Sequence, residues 1–200
     1  MPVWYITFHG GDNDRAWNNI HVYDLDGQPR GKAHATHSLP KELALREPRG
    51  FTFGPDGDLY VADRDSDSVK RYHGQSGALQ REYRHHHLKT PVHLTFRQPD
   101  GALQVGSRDR DAIVAIATET GEITTLVKSG AGGLRAPAGM AFGPDGKLYV
   151  SSRESKQMLR FNPTSGEPDD APFINGLEDY PEFIALVETS QASASQSSHR

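Results

Sequence analysis

Three arginines recur at a near-fixed step along this chain: Arg64, Arg108 and Arg153 lie 44 and 45 residues apart, and an acid follows each, Asp65, Asp109 and Glu154. A guanidinium presents a planar fork of donors that binds carboxylate or phosphate bidentately. Brought to one rim, the three would make a cationic ring for an anionic ligand. The competing reading is structural: repeated positions build the repeat, and each arginine then braces its own loop against a nearby acid. Two histidines add other chemistry. His9 aligns with the arginines when WYITFH is laid over LYVADR, and His93 stands third in the segment PVHLTF, where an apolar run begins. With Glu182 they offer two imidazoles and a carboxylate, an adequate donor set for a divalent metal or a general base. That site depends wholly on the fold to bring it together, and the plainer reading of a rim histidine is a hydrogen bond to its surroundings.

Other candidates are weaker. His85, His86 and His87 are consecutive, and neighbouring side chains of an extended chain point to opposite faces, so they make a poor chelate and read as a solvated loop. The stretch GGDNDRAWNN resembles part of a calcium loop but lacks the acids that complete one. Trp4, Trp17, Tyr5 and Tyr23 gather near the start of the chain, where aromatic residues in strands are expected to be core. There is no glycine-rich phosphate loop, nucleophile elbow or HExxH helix. With no cysteine, thiolate catalysis, disulfides and Cys-based zinc sites are excluded.

The composition narrows the class further. Hydrophobic content of 35% with 20 Gly and 13 Pro suits many short strands joined by tight turns and does not suit a helical bundle. A net charge of −4, from 22 basic and 26 acidic residues, gives no general surface for nucleic acid. No run approaches the roughly 18 apolar residues of a membrane span, and the first ten residues lack a leader pattern, so the expectation is a soluble chain with no membrane partner and its compartment left open.

An internal repeat sets the scaffold on which these residues would sit. GPDG at 54–57 returns as QPDG at 98–101 and GPDG at 143–146, and Gly77, Gly121 and Gly166 keep the same step as the arginines. One unit, PRGFTFGPDGDLYVADRDSDSVKRYHGQSGALQREY, holds four short alternating runs: 50–53, 59–62, 69–72 and 79–83. Pro-Asp-Gly closes the first pair, because proline presets φ and glycine supplies the positive φ of a tight hairpin. Four antiparallel strands per 44 or so residues is a propeller blade. The first unit has runs at 4–8 and 20–24 and a DLDG turn but no opening run, while YPEFIALV at 180–187 has the text of an opening run and stops. Entrance prolines at Pro48, Pro91, Pro137 and Pro181 count four blades. The expectation is a small all-β propeller of about four four-stranded blades over residues 1–188. It is closed by the C-terminal strand pairing into blade one, which removes the open sheet edges. Residues 189–200 read as a disordered Ser/Gln-rich tail, and HSLPKELALREP at 37–48 reads as a connection with one helical turn.

The string LRAPAGMAFGPDGKLYVSSRESKQMLRFNPTSG, residues 134–166, resembles the NHL repeat. The resemblance covers nearly all of 1–187 and is strongest in the second and fourth units. NHL propellers usually close with six or seven blades, so it implies either a small ring or an oligomer whose copies complete a larger one. Propellers of similar look include virginiamycin B lyase and the gluconolactonase and senescence-marker proteins. In the lactonases a Pro-Asn-Gly at a blade entrance supplies a metal ligand, and the matching residue here is Ala138, which argues against lactonase chemistry. The lyases use channel histidine with an acid and a metal, and His93 with His9 echoes that set. The favoured expectation is a scaffold that binds a small anionic ligand or a protein partner at the channel mouth, through His9, Arg64, Arg108, Arg153 and His93. The alternative is a metal-assisted lyase or hydrolase there, with His9, His93 and Glu182 around a divalent metal; the binding reading needs no cofactor.

Overall fold

The computed structural model describes residues 2–8, 18–33 and 44–187. Within them lie fourteen strands in four antiparallel sheets. Sheet 1 holds β1 (Trp4–Phe8), β2 (Asn19–Tyr23) and β3 (Pro29–Lys32) in that order. Sheet 2 runs β4 (Pro48–Phe53), β5 (Leu59–Asp63), β6 (Ser68–Tyr72), β7 (Leu79–Arg84). Sheet 3 runs β8 (Pro91–Phe96), β9 (Leu103–Ser107), β10 (Ala112–Ile116), β11 (Ile123–Val127). Sheet 4 holds β12 (Pro137–Phe142), β13 (Leu148–Ser152) and β14 (Gln157–Phe161). The segment after β14 pairs with it through isolated bridges rather than a ladder, Phe161 to Pro168 and Met158 to Ile174, because Pro168 and Pro172 cannot donate to a ladder.

The turns are those the sequence demands. Gly57, Gly101 and Gly146 take φ of 79°, 69° and 74°, each ending the Pro-Asp-Gly hairpin between the first two strands of its sheet.

Strand alternation puts the core between sheets. In β5, Leu59 and Val61 face sheet 1 and meet its Ile20 together with Leu45 of the segment before β4, while Tyr60 and Ala62 face sheet 3 and meet Leu94, Leu103 and Val105. Ile113 and Val127 of sheet 3 likewise pack on Leu148, Val150 and Phe161 of sheet 4. Each fully buried aliphatic side chain contributes about 1.5–3 kcal/mol. One aromatic contact recurs at the junctions: Tyr5 meets Phe53 edge-on at 5.1 Å, and Tyr60 meets Phe96 edge-on at 5.1 Å. Glycine sets the approach of the innermost strands. A Cβ on Gly50 would lie 2.7 Å from the Val92 carbonyl oxygen, so β4 and β8 pack backbone against backbone.

Among the described residues no pairing of the C-terminal segment with the first sheet is seen. There β1 pairs with β2, and residues 180–187 form no ladder but lie beside β12, with the Gly139 N–H donating to the Glu182 carbonyl at 2.5 Å. The reason is again a missing Cβ: on Gly139 it would fall 2.7 Å from Glu182 O and 2.8 Å from Phe183 Cα. Trp4 is exposed, contrary to the expectation that the N-terminal aromatics are core, whereas Tyr5 is half-buried. Trp17, the GGDNDRAWNN stretch up to residue 17, residues 37–43 of the expected helical turn and the 189–200 tail lie outside the described residues. Among the described residues no helix is long and apolar enough to cross a membrane.

Sheet 2 buries an ion pair its neighbours lack. Lys70 Nζ lies 2.7 Å from Asp63 Oδ2 and 2.7 Å from the Ala44 carbonyl, both side chains fully buried. Asp63 also accepts the N–H groups of Arg46 and Glu47 at 2.9 and 2.7 Å. The equivalent positions are Ser107 with Val114 in sheet 3 and Ser152 with Leu159 in sheet 4. Removing one buried charge strands the other, so Asp63→Ala is expected to cost about 3–5 kcal/mol in chemical denaturation. The double change Asp63→Ser with Lys70→Val, which installs the sheet 3 arrangement, is expected to fall within about 1 kcal/mol of the parent. A double variant as unstable as Asp63→Ala would show that the pair itself is indispensable.

Candidate functional site

The rim is built from one repeated position and the loop that leaves it. The last residue of the second strand accepts an N–H from the linker that enters its sheet: Asp63 from Arg46 and Glu47, Ser107 from Lys89 at 2.8 Å, Ser152 from Arg135 at 2.8 Å. The next residues are Arg64, Arg108 and Arg153, the first two opening short 3-10 turns. Left-handed residues end these loops, Asp67 at φ 50°, Asp111 at φ 51° and Lys156 at φ 53°. Two of them tie one sheet to the next. Asp67 Oδ1 accepts the Thr90 N–H at 2.8 Å, and Asp111 Oδ1 accepts that of Ala136 at 2.7 Å. Thr90 and Ala136 are themselves left-handed, at φ 48° and 49°, directly before Pro91 and Pro137. Proline disfavours helical conformations in the residue before it, so each carboxylate holds a strained backbone in place. Sequence reasoning passed over both aspartates, although they stand at one repeat position, three residues after Arg64 and Arg108.

The three arginines share a position but not an environment. Arg64 pairs with Glu47 at 2.7 Å, with Asp65 farther off at 3.9 Å. Arg153 pairs with Glu182 and Glu154, both at 2.6 Å, and its guanidinium lies 4.6 Å from the Tyr180 ring centroid. These two brace their loops. Arg108 has no ion pair among the described residues, and its neighbouring acid is turned away, Asp109 Oδ2 accepting the Thr90 hydroxyl at 2.6 Å.

His93 is the other inward candidate. Its Nδ1 accepts the Met140 N–H at 3.2 Å and its ring meets Phe183 edge-on at 5.7 Å. Cδ2 lies 3.6 Å from where a Cβ on Gly50 would be, so the ring fills room that glycine leaves. Burial holds its pKa below the usual histidine value. The neutral ring that accepts at Nδ1 carries its proton on Nε2. Nε2 is then a donor, and ligating a metal there would move the proton to Nδ1, against the Met140 N–H.

Glu182 is equally committed, its carboxylate to Arg153 and its carbonyl to Gly139. His93 and Glu182 as they stand therefore do not fit a divalent metal. Among the described residues no group of three His, Asp or Glu side chains is placed to hold one. His9 lies outside the described residues. The rings of His85, His86 and His87 lie against one another tilted by 40° and 46°, with neighbouring centroids 4.1 and 3.9 Å apart.

A histidine whose folded pKa is depressed binds fewer protons folded than unfolded, so its presence lowers stability as pH falls through the unfolded value of about 6.5. The parent is thus expected to lose more stability between about pH 7 and 5 than His93→Ala. At pH 7.5 that variant is expected to be about 1–3 kcal/mol less stable, since the Met140 N–H loses its acceptor. Parallel stability curves for the two proteins across this range would show that His93 does not titrate on unfolding.

No family model matches the chain. Among curated proteins it is 23% identical over 138 residues to peptidyl-glycine alpha-amidating monooxygenase B of Xenopus laevis, covering 65% of this chain and 16% of that one. Among solved structures, a catalytically inactive virginiamycin B lyase from Staphylococcus aureus with quinupristin superposes with a TM-score of 0.67 at 27% identity, over 85% of this chain and 53% of the lyase. A gluconolactonase-like protein gives 0.59 at 15% identity, over 86% of this chain and 61% of that chain. The chain thus spans about half the length of the lyase it matches. These neighbours bear out the resemblance carried by the repeat: the chain is built like a β-propeller, similar to the NHL-repeat kind and to virginiamycin B lyase and gluconolactonase-like propellers.

Proposed function

We propose that this propeller is a binding scaffold whose rim takes an anionic ligand at the junction of sheets 3 and 4. The observation that carries this reading is Arg108, which lacks the carboxylate partner that occupies Arg64 and Arg153. Three further cations without ion pairs among the described residues stand on the loop that Arg108 opens and on the linker into sheet 4. Arg110 and Arg135 flank the Asp111 to Ala136 hydrogen bond, and Lys128 stands two residues before Gly130, whose N–H donates to the Asp111 carbonyl at 2.9 Å. Arg110, Lys128 and Arg135 are exposed and Arg108 is half-buried, an arrangement open to a carboxylate or phosphate from solvent.

Calorimetric titration with phosphate and with citrate tests it. Binding is expected to weaken as salt rises, and to fall about tenfold or more in Arg108→Ala combined with Arg135→Ala, the loss of roughly 1.4 kcal/mol. Arg64→Ala is expected to keep the parent affinity. Equal affinity in the parent and the double variant, or no anion binding at low salt, would overturn the assignment.

A catalytic reading has one observation in its favour, the 27% identity to a lyase over most of this chain. Under it the channel mouth would carry a lyase or hydrolase reaction with His9 and His93, and a metal would require His93 and Glu182 to leave their present partners. Incubation with quinupristin, with and without added divalent metals, followed by chromatography decides it. Product formation that is lost in His93→Ala would favour catalysis over simple binding, and an unchanged substrate removes this reading.

A further inference from the structure

We propose that two copies of this chain join head to tail, residues 180–187 of each supplying the missing innermost strand to sheet 1 of the other. This goes beyond the binding reading and does not depend on it. Sheets 2, 3 and 4 each begin with a proline-led inner strand, β4, β8 and β12, which pairs with the second strand of the same sheet. Among the described residues sheet 1 has no such strand, and its β1 is equivalent to β5 and β9, so the edge of β1 away from β2 is left unpaired there.

The segment that begins at Pro181 has the complementary lack. It lies against Gly139 as β8 lies against Gly50: the absent Cβ of Gly139 faces Glu182 O at 2.7 Å, and that of Gly50 faces Val92 O at 2.7 Å. Residues 181–186 therefore occupy the place of an inner strand of a next sheet, with no second strand beside them among the described residues. One edge wants an inner strand and the other is an inner strand wanting a partner, which is the geometry of β-augmentation.

The register is specified. In sheet 2, Phe51, Thr52 and Phe53 stand opposite Val61, Tyr60 and Leu59, and sheet 3 repeats this with Leu94, Thr95 and Phe96 opposite Val105, Gln104 and Leu103. Carried over, Ile184, Ala185 and Leu186 would stand opposite Ile6, Tyr5 and Trp4 of a second copy.

Side-chain exposure gives an independent argument. Leu59 and Val61, at the positions of Trp4 and Ile6, are 2% and 0% exposed because they pack on the preceding sheet, whereas Trp4 and Ile6 are 60% and 45% exposed. The outer face of sheet 4 offers what they lack, an apolar groove of about 360 Å³ lined by Phe142, Tyr149, Met158, Phe173, Ile174 and Leu186. Phe183, Leu186 and Val187 beside it are 67%, 65% and 72% exposed. Seating Trp4 and Ile6 of a second copy there repeats the contact that Leu103 and Val105 make with Tyr60 and Ala62. Such a head-to-tail contact closes only if the rotation does, and this chain matches 53% of the lyase's length.

The cysteine-free chain makes the test direct. Ile6→Cys and Ile184→Cys are introduced together in the full chain and oxidised, since Cα atoms opposed in an antiparallel ladder lie about 4.5–5.5 Å apart, within disulfide reach. Light scattering of the parent is expected to give twice the chain mass. Non-reducing electrophoresis of the variant is expected to show a covalent dimer, and two single variants mixed before oxidation are expected to link to each other. A monomeric parent whose double variant forms an internal disulfide would overturn the proposal in favour of closure within one chain. A monomeric parent that forms no cross-link would overturn it outright.

Discussion

Each inner sheet of this molecule is apolar on both faces, and that constraint governs everything else. A sheet with Leu59 and Val61 on one side and Tyr60 and Ala62 on the other cannot stand alone in water, so it is stable only between neighbours. Neighbours must approach closely at the channel and splay toward the outside, which explains why Gly50 and Gly139 lie where two backbones meet. The polar devices then serve the same end. The carboxylates of Asp67 and Asp111 reach across to the next sheet's linker and hold two residues in a conformation they would otherwise avoid.

The functional reading comes from exceptions within that regular frame. Where a position repeats with its partners, as for Arg64 and Arg153, its chemistry is consumed by the architecture. Where it repeats without them, as for Arg108, the guanidinium keeps no ion pair among the described residues. His93 belongs to the first group in spite of its catalytic residue type. Its ring bridges two inner strands, and its lone pair at Nδ1 is already taken by a backbone amide.

Much of this frame was legible in the sequence, for a physical reason. Hairpins closed by Pro-Asp-Gly and turns ending in Gly77, Gly121 and Gly166 are local, and a positive φ restricts the residue type at one position, so the text shows them directly. The strand pattern of sheet 1, without an inner strand, was also readable. The pairings were not. Glu47 reaches Arg64 from 17 positions earlier and Glu182 reaches Arg153 from 29 positions later, so no fixed offset signals them. Glu182 read as a metal ligand because its residue type fits one, and only the placement of its carboxylate shows it held by a guanidinium. Trp4 read as core because aromatic residues in strands usually are, and its exposure depends on which sheet, if any, lies beyond it.

The buried lysine of sheet 2 bears on how such a chain can change over generations. Tandem repeats can recombine with one another, and an exchange between sheets joins residues from equivalent positions. Asp63 and Lys70 are different, since both belong to one repeat and each is tolerable in the interior only beside the other. A crossover outside the stretch from Asp63 to Lys70 carries the two together. One that falls within it joins a lone aspartate to valine or leucine, or a lone lysine to serine. The stretch from Asp63 to Lys70 is thus the smallest piece of this repeat that keeps the pair whole.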